Sequence, residues 1–417
     1  MRRRLTGLLA AAACVLHLAG CGATSFQLPG GPVAEAAYIS LYPTFAEVCA
    51  VSQIDKIPGR GADLRGGPGG HAVLFLNGAC LEAGAYPVLR RCGPADRVDG
   101  TGISANAHFR NANWVGIPGR DLFLHGGLPA GARVTPAAYL ATQAEAGRLG
   151  LYDGIAFHRE VFDDKPPAVA ERDWKYEMSV ATDYAIDFGR GRYCARLPVT
   201  GAQLDRMIAY LNAQNALYRD ERQVFEWSVL QDNCSHLTHN ALAAAGLWAD
   251  WPTRRPLLLA AFDFPVPKNE FVNQMRRTND MDLTDLAGLY ADPQARQAVL
   301  AGEPLATRPG ALAEAAPARA ANDLYRTDLR LIFYDEGILG RYQRRLEAIA
   351  AAPRYQDVGE NLRYFRNLYT RIAAERRPLA WWLARGQPAE FAAFYDRFYA
   401  MVDREKNAVE AGLGSKL

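Results

Sequence analysis

One cysteine stands where a thiol can do chemistry. In Gln231-Asp232-Asn233-Cys234-Ser235-His236-Leu237-Thr238-His239, polar residues precede an apolar-periodic run through Leu237, Leu242 and Ala245. This pattern predicts a helix that opens at Asp232 or Asn233 and runs to about Gly246. Cys234 then falls on the first turn, where unpaired backbone N–H groups and the positive end of the helix dipole favour a thiolate and can receive an oxyanion. A nucleophilic thiol also needs a base. His71, in Gly69-Gly70-His71-Ala72-Val73-Leu74-Phe75-Leu76, opens a predicted strand after a glycine turn and is the natural base. Such a pair would attack an amide or ester carbonyl. His236 follows the cysteine at i+2, which in a helix points to another face, so it is expected to cap or pack. Cys234, His236 and His239 also fit a Cys-x-His-x-x-His metal pattern, giving a metal-binding envelope protein as an alternative. No fourth ligand motif is visible, and no metal or cofactor is expected.

Cysteine parity leaves one thiol over. Arg2, Arg3 and Arg4 precede the uncharged stretch Leu5 to Leu18, which ends in Leu18-Ala19-Gly20-Cys21. That reads as a signal peptide with a lipobox: residues 1–20 leave, and Cys21 carries acyl chains such as palmitate. The chain is expected in the bacterial envelope, lipid-anchored and facing the periplasm. Gly22 rather than Asp after the cysteine favours the outer membrane. Of seven cysteines, Cys14 leaves with the signal and Cys21 is acylated. Cys49, Cys80, Cys92, Cys194 and Cys234 remain, an odd set in an oxidising compartment. At least one disulfide is expected among the first four, Cys80 with Cys92 foremost, leaving Cys234 reduced. Lys plus Arg number 47 against 45 Asp plus Glu, with no long basic run, so nucleic acid is not an expected partner.

The elements that must hold these residues divide the chain. Residues 21–37, rich in small residues, read as a flexible tether. Ala72 to Cys80, Tyr86 to Cys92, Trp114 to His125, Ile155 to Phe162, Tyr176 to Phe188 and Arg192 to Val199 read as strands. From Thr200, a possible N-cap, the period turns helical through Leu204, Met207, Ile208, Leu211 and Leu217. Beyond Trp251 helical patterns dominate, and residues 302–321 look like a linker. The expected fold is α+β, with a domain over 38–250 and an α-helical region over 251–417.

An Asn-Cys-x-His signature opening a helix, with a Gly-His-apolar strand upstream, resembles the circularly permuted papain-like fold. The likeness is nearest the Lnb-type periplasmic domain of envelope proteins, relatives of the NlpC-type cell-wall peptidases. Asp183-Tyr184-Ala185-Ile186-Asp187-Phe188 and Arg196-Leu197-Pro198-Val199 fall in the order expected of it, over roughly residues 65–250. The resemblance implies Cys234 as nucleophile and His71 as base. A third polar residue on the next strand would orient the imidazole: Asn77 or Glu82, or through a longer insertion Asn113, Asp121 or His125. Glu82 and His125 rank first. Gln231 and Asn233, flanking the thiol, are candidates to bind substrate. The implied function is a thiol hydrolase or acyltransferase acting on peptidoglycan peptides or lipid acyl groups, with a non-catalytic scaffolding lipoprotein as another alternative.

Overall fold

The computed structural model describes residues 23–24, 35–59, 61–66, 69–327, 331–332 and 341–414. The expected signal, Cys21 and most of the tether lie outside them. A six-stranded antiparallel sheet organises the fold. Its strands are β1 (Phe45–Val51), β2 (His71–Asn77), β3 (Gly100–Ser104), β4 (Val115–Pro118), β5 (Arg192–Pro198) and β6 (Leu312–Ala316), in the order β4-β3-β2-β1-β5-β6. Every residue of β1 and β2 is buried. Both faces are covered, so these strands read as nearly continuous apolar runs rather than as alternating ones.

The two faces bury different layers. Val73, Phe75, Phe45 and Cys49 join a core with Phe109, Phe123, Tyr152 and Tyr184 from the segment between β3 and β5. Ala72, Leu74, Ala46 and Val48 face a second core with Leu204, Met207 and Leu211 of helix α1 (Gly201–Ala216), and with Leu237 and Leu242 of helix α2 (Cys234–Ala244). Thr200 caps α1 through a reciprocal bond with Gln203, as its position predicts. A third core joins Leu286 and Val299 to α-helices Val358–Ala374 and Phe391–Gly414. The architecture is therefore α+β with a helical C-terminal region.

Several sequence expectations are corrected. Ile155 to Phe162 holds only a 3-10 turn, and Tyr176 to Phe188 is a helix end followed by a tight loop. Trp114 to His125 gives only the short β4 before a π-helical turn at Asp121–His125. Three strands of the sheet were not anticipated, β1, β3 and β6. The linker-like stretch 302–321 supplies β6, which pairs with β5 from Arg192↔Ala316 to Arg196↔Leu312. Alanine-rich composition suggested a linker, yet small residues also suit an edge strand covered by other elements.

Two disulfides form. Cys80 joins Cys92 across a hairpin of Ala79–Leu81 with Leu89–Arg91, and Cys49 joins Cys194 directly across β1 and β5. Cys234 is left as a free, buried thiol.

Candidate functional site

Asn233 starts helix α2. Its extended backbone and side-chain oxygen cap α2, the oxygen accepting from the Ser235 N–H at 2.8 Å and the His236 N–H at 3.1 Å. His236 returns the bond, its Nδ1 accepting from the Asn233 N–H at 3.2 Å. The imidazole of His236 thus completes a capping box, the supporting role expected of it. Asn233 Nδ2 donates to the Val229 carbonyl and Gln231 Nε2 to the Arg255 carbonyl. Both residues considered for substrate binding are thereby engaged in shaping the helix entry.

The cap places the Cys234 thiol at the end of the sheet, where Sγ accepts from the Ala72 N–H at 3.3 Å. Neighbouring His71 lies at the start of β2, with its side chain on the opposite parity to Ala72. His71 Nε2 is 3.1 Å from Ser104 Oγ on β3, and Ser104 Oγ donates to Asp183 Oδ1 at 2.6 Å. Since the hydroxyl proton is given to the carboxylate, Ser104 accepts from Nε2–H, and the lone pair of neutral His71 is then on Nδ1. Nδ1 has no hydrogen-bond partner among the described residues. It is the nitrogen nearer the backbone, and that backbone is where the Cys234 sulfur docks. No hydrogen bond joins thiol and imidazole in this resting arrangement.

Asp183 anchors the chain of contacts. It also accepts from Asn106 Nδ2 at 2.7 Å and from the Tyr152 hydroxyl at 3.1 Å. Burial pushes its carboxyl up, and the bonds from Ser104 and Asn106 oppose that. The loop that carries it is strained. Ala181 and Ala185 hold φ of 60° and 53°, a region alanine rarely visits. Arg190 pins this loop, donating to the Ala181 and Ser52 carbonyls at 2.6 Å each. Register puts Arg190 near the thiol, because Val51 pairs with both His71 and Arg192 at this sheet end. The guanidinium makes no ion pair among the described residues, and burial lowers its pKa to about 10, opposed by Cys234 when it ionises and by the Asp183 carboxylate.

Burial sets the protonation of the pair. It pushes the Cys234 thiol up, against the N–H groups of Ala72 and Ser235 and the Arg190 charge. Burial first, then Arg190 and His108, lowers His71 to about 3. The helix terminus was expected to lower the thiol, but desolvation outweighs it. Thiol and imidazole are both neutral at rest. The N-cap also occupies the Ser235 and His236 amides, and the Ala72 N–H already donates to Sγ, so the N–H group left for an oxyanion at the helix start is that of Cys234.

The residues ranked for the orienting role lie elsewhere. Glu82 is exposed, past the Asn77 end of β2, which is roughly 20 Å from the His71 end. His125 Nδ1 lies 2.8 Å from Asp187, in an ion network with Arg192 and Glu314, and it makes no hydrogen bond to His71. Ser104 and Asp183 occupy the position next to His71 instead. Asp183 stood in the stretch that supported the resemblance, but nothing local marks it as a partner of His71. His239, weighed as a metal ligand, spends both ring nitrogens, on Glu270 at 2.7 Å and the Ala249 carbonyl at 2.9 Å. A cavity of about 420 Å³ lined by Arg206, Asn240, Trp248 and Glu303 sits toward the C-terminal end of α2, away from the thiol.

Comparison with protein families, with curated proteins and with solved structures finds no match to this chain.

Proposed function

We propose that the chain is a thiol hydrolase or acyltransferase of the bacterial envelope, built as a circularly permuted papain-like domain and anchored by lipid on Cys21. The observation that carries this reading is the series Cys234, Ala72/His71, Ser104 and Asp183, assembled from four separate segments at one end of the sheet. A buried chain from imidazole through hydroxyl to carboxylate fixes tautomer and ring orientation, which is what a general base requires. Since both groups start neutral, the thiol proton passes to His71 Nδ1 as sulfur attacks the carbonyl carbon. The transfer requires His71 Nδ1, which makes no hydrogen bond to Sγ at rest, to reach the sulfur. The Cys234 N–H receives the oxyanion, joined by the Ala72 N–H once it lets go of the sulfur, and the imidazolium then protonates the leaving amine or alcohol. Water attacks the resulting thioester with His71 again as base, or an acceptor nucleophile replaces it. Substrates of suitable chemistry are peptidoglycan peptides and acylated lipids or lipoproteins.

A second reading follows from a specific feature: Cys234 is only 6% exposed. A thiol so covered suits a scaffolding lipoprotein that keeps the domain as a binding surface. Turnover decides. Purified protein and its Cys234→Ala variant are incubated with muropeptides and with acyl esters. Product formed by the first and not the second supports the enzyme; none from either panel supports the scaffold.

A further inference from the structure

Two stretches beside the nucleophile helix leave large apolar side chains in water. Trp227 is 36% and Val229 47% exposed in the loop leading into α2, while Leu257, Leu258 and Leu259 are 53%, 73% and 54% exposed on helix α3 (Leu257–Phe262). Hydrogen bonds tie the stretches together next to Cys234. The Arg254 N–H donates to the Gln231 carbonyl at 3.0 Å, Gln231 Nε2 to the Arg255 carbonyl at 2.5 Å, and Asn233 Nδ2 to the Val229 carbonyl at 2.7 Å.

The leucines are consecutive on a helix, so they point about 100° apart and sweep about 200° of its surface. A protein partner covers one stripe of a docking helix, at i, i+3 and i+4 spacing. Only a medium that surrounds the helix covers three consecutive leucines, and the acyl zone of a bilayer is such a medium. The flanking groups suit the headgroup level: Trp227 has an amphipathic ring, and exposed Arg254, whose Nη2 donates to the Tyr218 hydroxyl at 2.8 Å, makes no ion pair among the described residues and has further N–H groups for a lipid phosphate. Arg255 is offset by Asp263 at 2.9 Å. Apolar insertion therefore contributes more than charge.

We propose that Trp227, Val229 and Leu257–Leu259 form a rim that inserts into a phospholipid surface and delivers an acyl carbonyl of a membrane-embedded molecule to Cys234. The choice of acyl substrate rests on the thiol-enzyme reading; the membrane attachment does not. The test uses the chain from residue 21 onward, which keeps every described residue, with Cys21→Ser so that neither leader nor anchor contributes. Co-sedimentation with vesicles of phosphatidylcholine and phosphatidylglycerol compares this protein with its Leu257→Asp/Leu258→Asp/Leu259→Asp and Cys234→Ser variants.

The expected result is a partition coefficient at least about tenfold lower for the triple variant and unchanged for Cys234→Ser. The triple variant should also keep turnover of a water-soluble short-chain ester while losing turnover of a vesicle-embedded long-chain ester. Failure of the protein to sediment, or equal sedimentation of the triple variant, overturns the rim. So does self-association in solution that the aspartates abolish, which would make a second copy the occupant. Rim-dependent sedimentation together with ester turnover unaffected by Cys234→Ser leaves the rim standing and removes the thiol-enzyme reading.

Discussion

A buried thiol beside a buried imidazole resists ionising, and this governs how Cys234 reacts. The raised thiol carries less thiolate at neutral pH than free cysteine does, so its alkylation should be slow at pH 7 and climb with a midpoint above that of free cysteine. Iodoacetamide labelling across pH, read by mass on the Cys234 peptide, checks this; rapid labelling at pH 6 would mean a preformed thiolate. Asp183 belongs to the same scale. Asp183→Asn keeps the shape but no longer accepts the Ser104 proton as a carboxylate, so His71 loses its fixed tautomer. Turnover on whichever ester or peptide the protein accepts should fall about 10²-fold or more, and adding His71→Ala should cost little further. The thiol was legible in the sequence because an odd cysteine count leaves one over and the capped helix start singles out Cys234. Ser104 and Asp183 were not, since they reach His71 only through strand pairing and a strained loop far along the chain.

At the scale of elements, local signals carried the helices and misled on strands. Asn233 and Thr200 are caps recognisable from residue type and the turn that follows them, and both helices begin where those residues place them. Asn233→Ala should lower stability by about 1 kcal/mol in denaturant titrations and slow turnover as well, because it frees the amides that shape the first turn around Cys234. A stability loss with turnover per folded molecule intact would separate the cap from the site. Tyr176 to Phe188 looked like a strand because it is rich in aromatic and apolar residues, all of them buried but the partly buried Met178. The burial comes from a helix end and a loop folded under the sheet, whose Ala181 and Ala185 conformations no propensity announces. The strand β1 went unread since Glu47 interrupts its apolar run, although Arg120 holds that carboxylate inside at 2.8 Å.

At the scale of the molecule, the sheet is closed by a strand from beyond residue 300. Glu314 on β6 accepts from Arg192 at 2.7 Å and Arg196 at 3.1 Å, all three buried. A fragment ending at residue 250 would leave both guanidinium groups without that carboxylate and expose the edge of β5. It should aggregate where the chain through residue 414 is monodisperse, as light scattering after purification would show. Sequence patterning placed the helical region but not this strand, because pairing between residues so far apart leaves no local mark. In the proposed enzyme all these segments converge to make Cys234 a nucleophile. The most direct measurement is intact-protein and peptide mass spectrometry after brief exposure to an activated acyl ester and acid quench. One acyl group on Cys234, absent in His71→Ala, is the predicted result; an unmodified Cys234 in protein that still turns the ester over would contradict it.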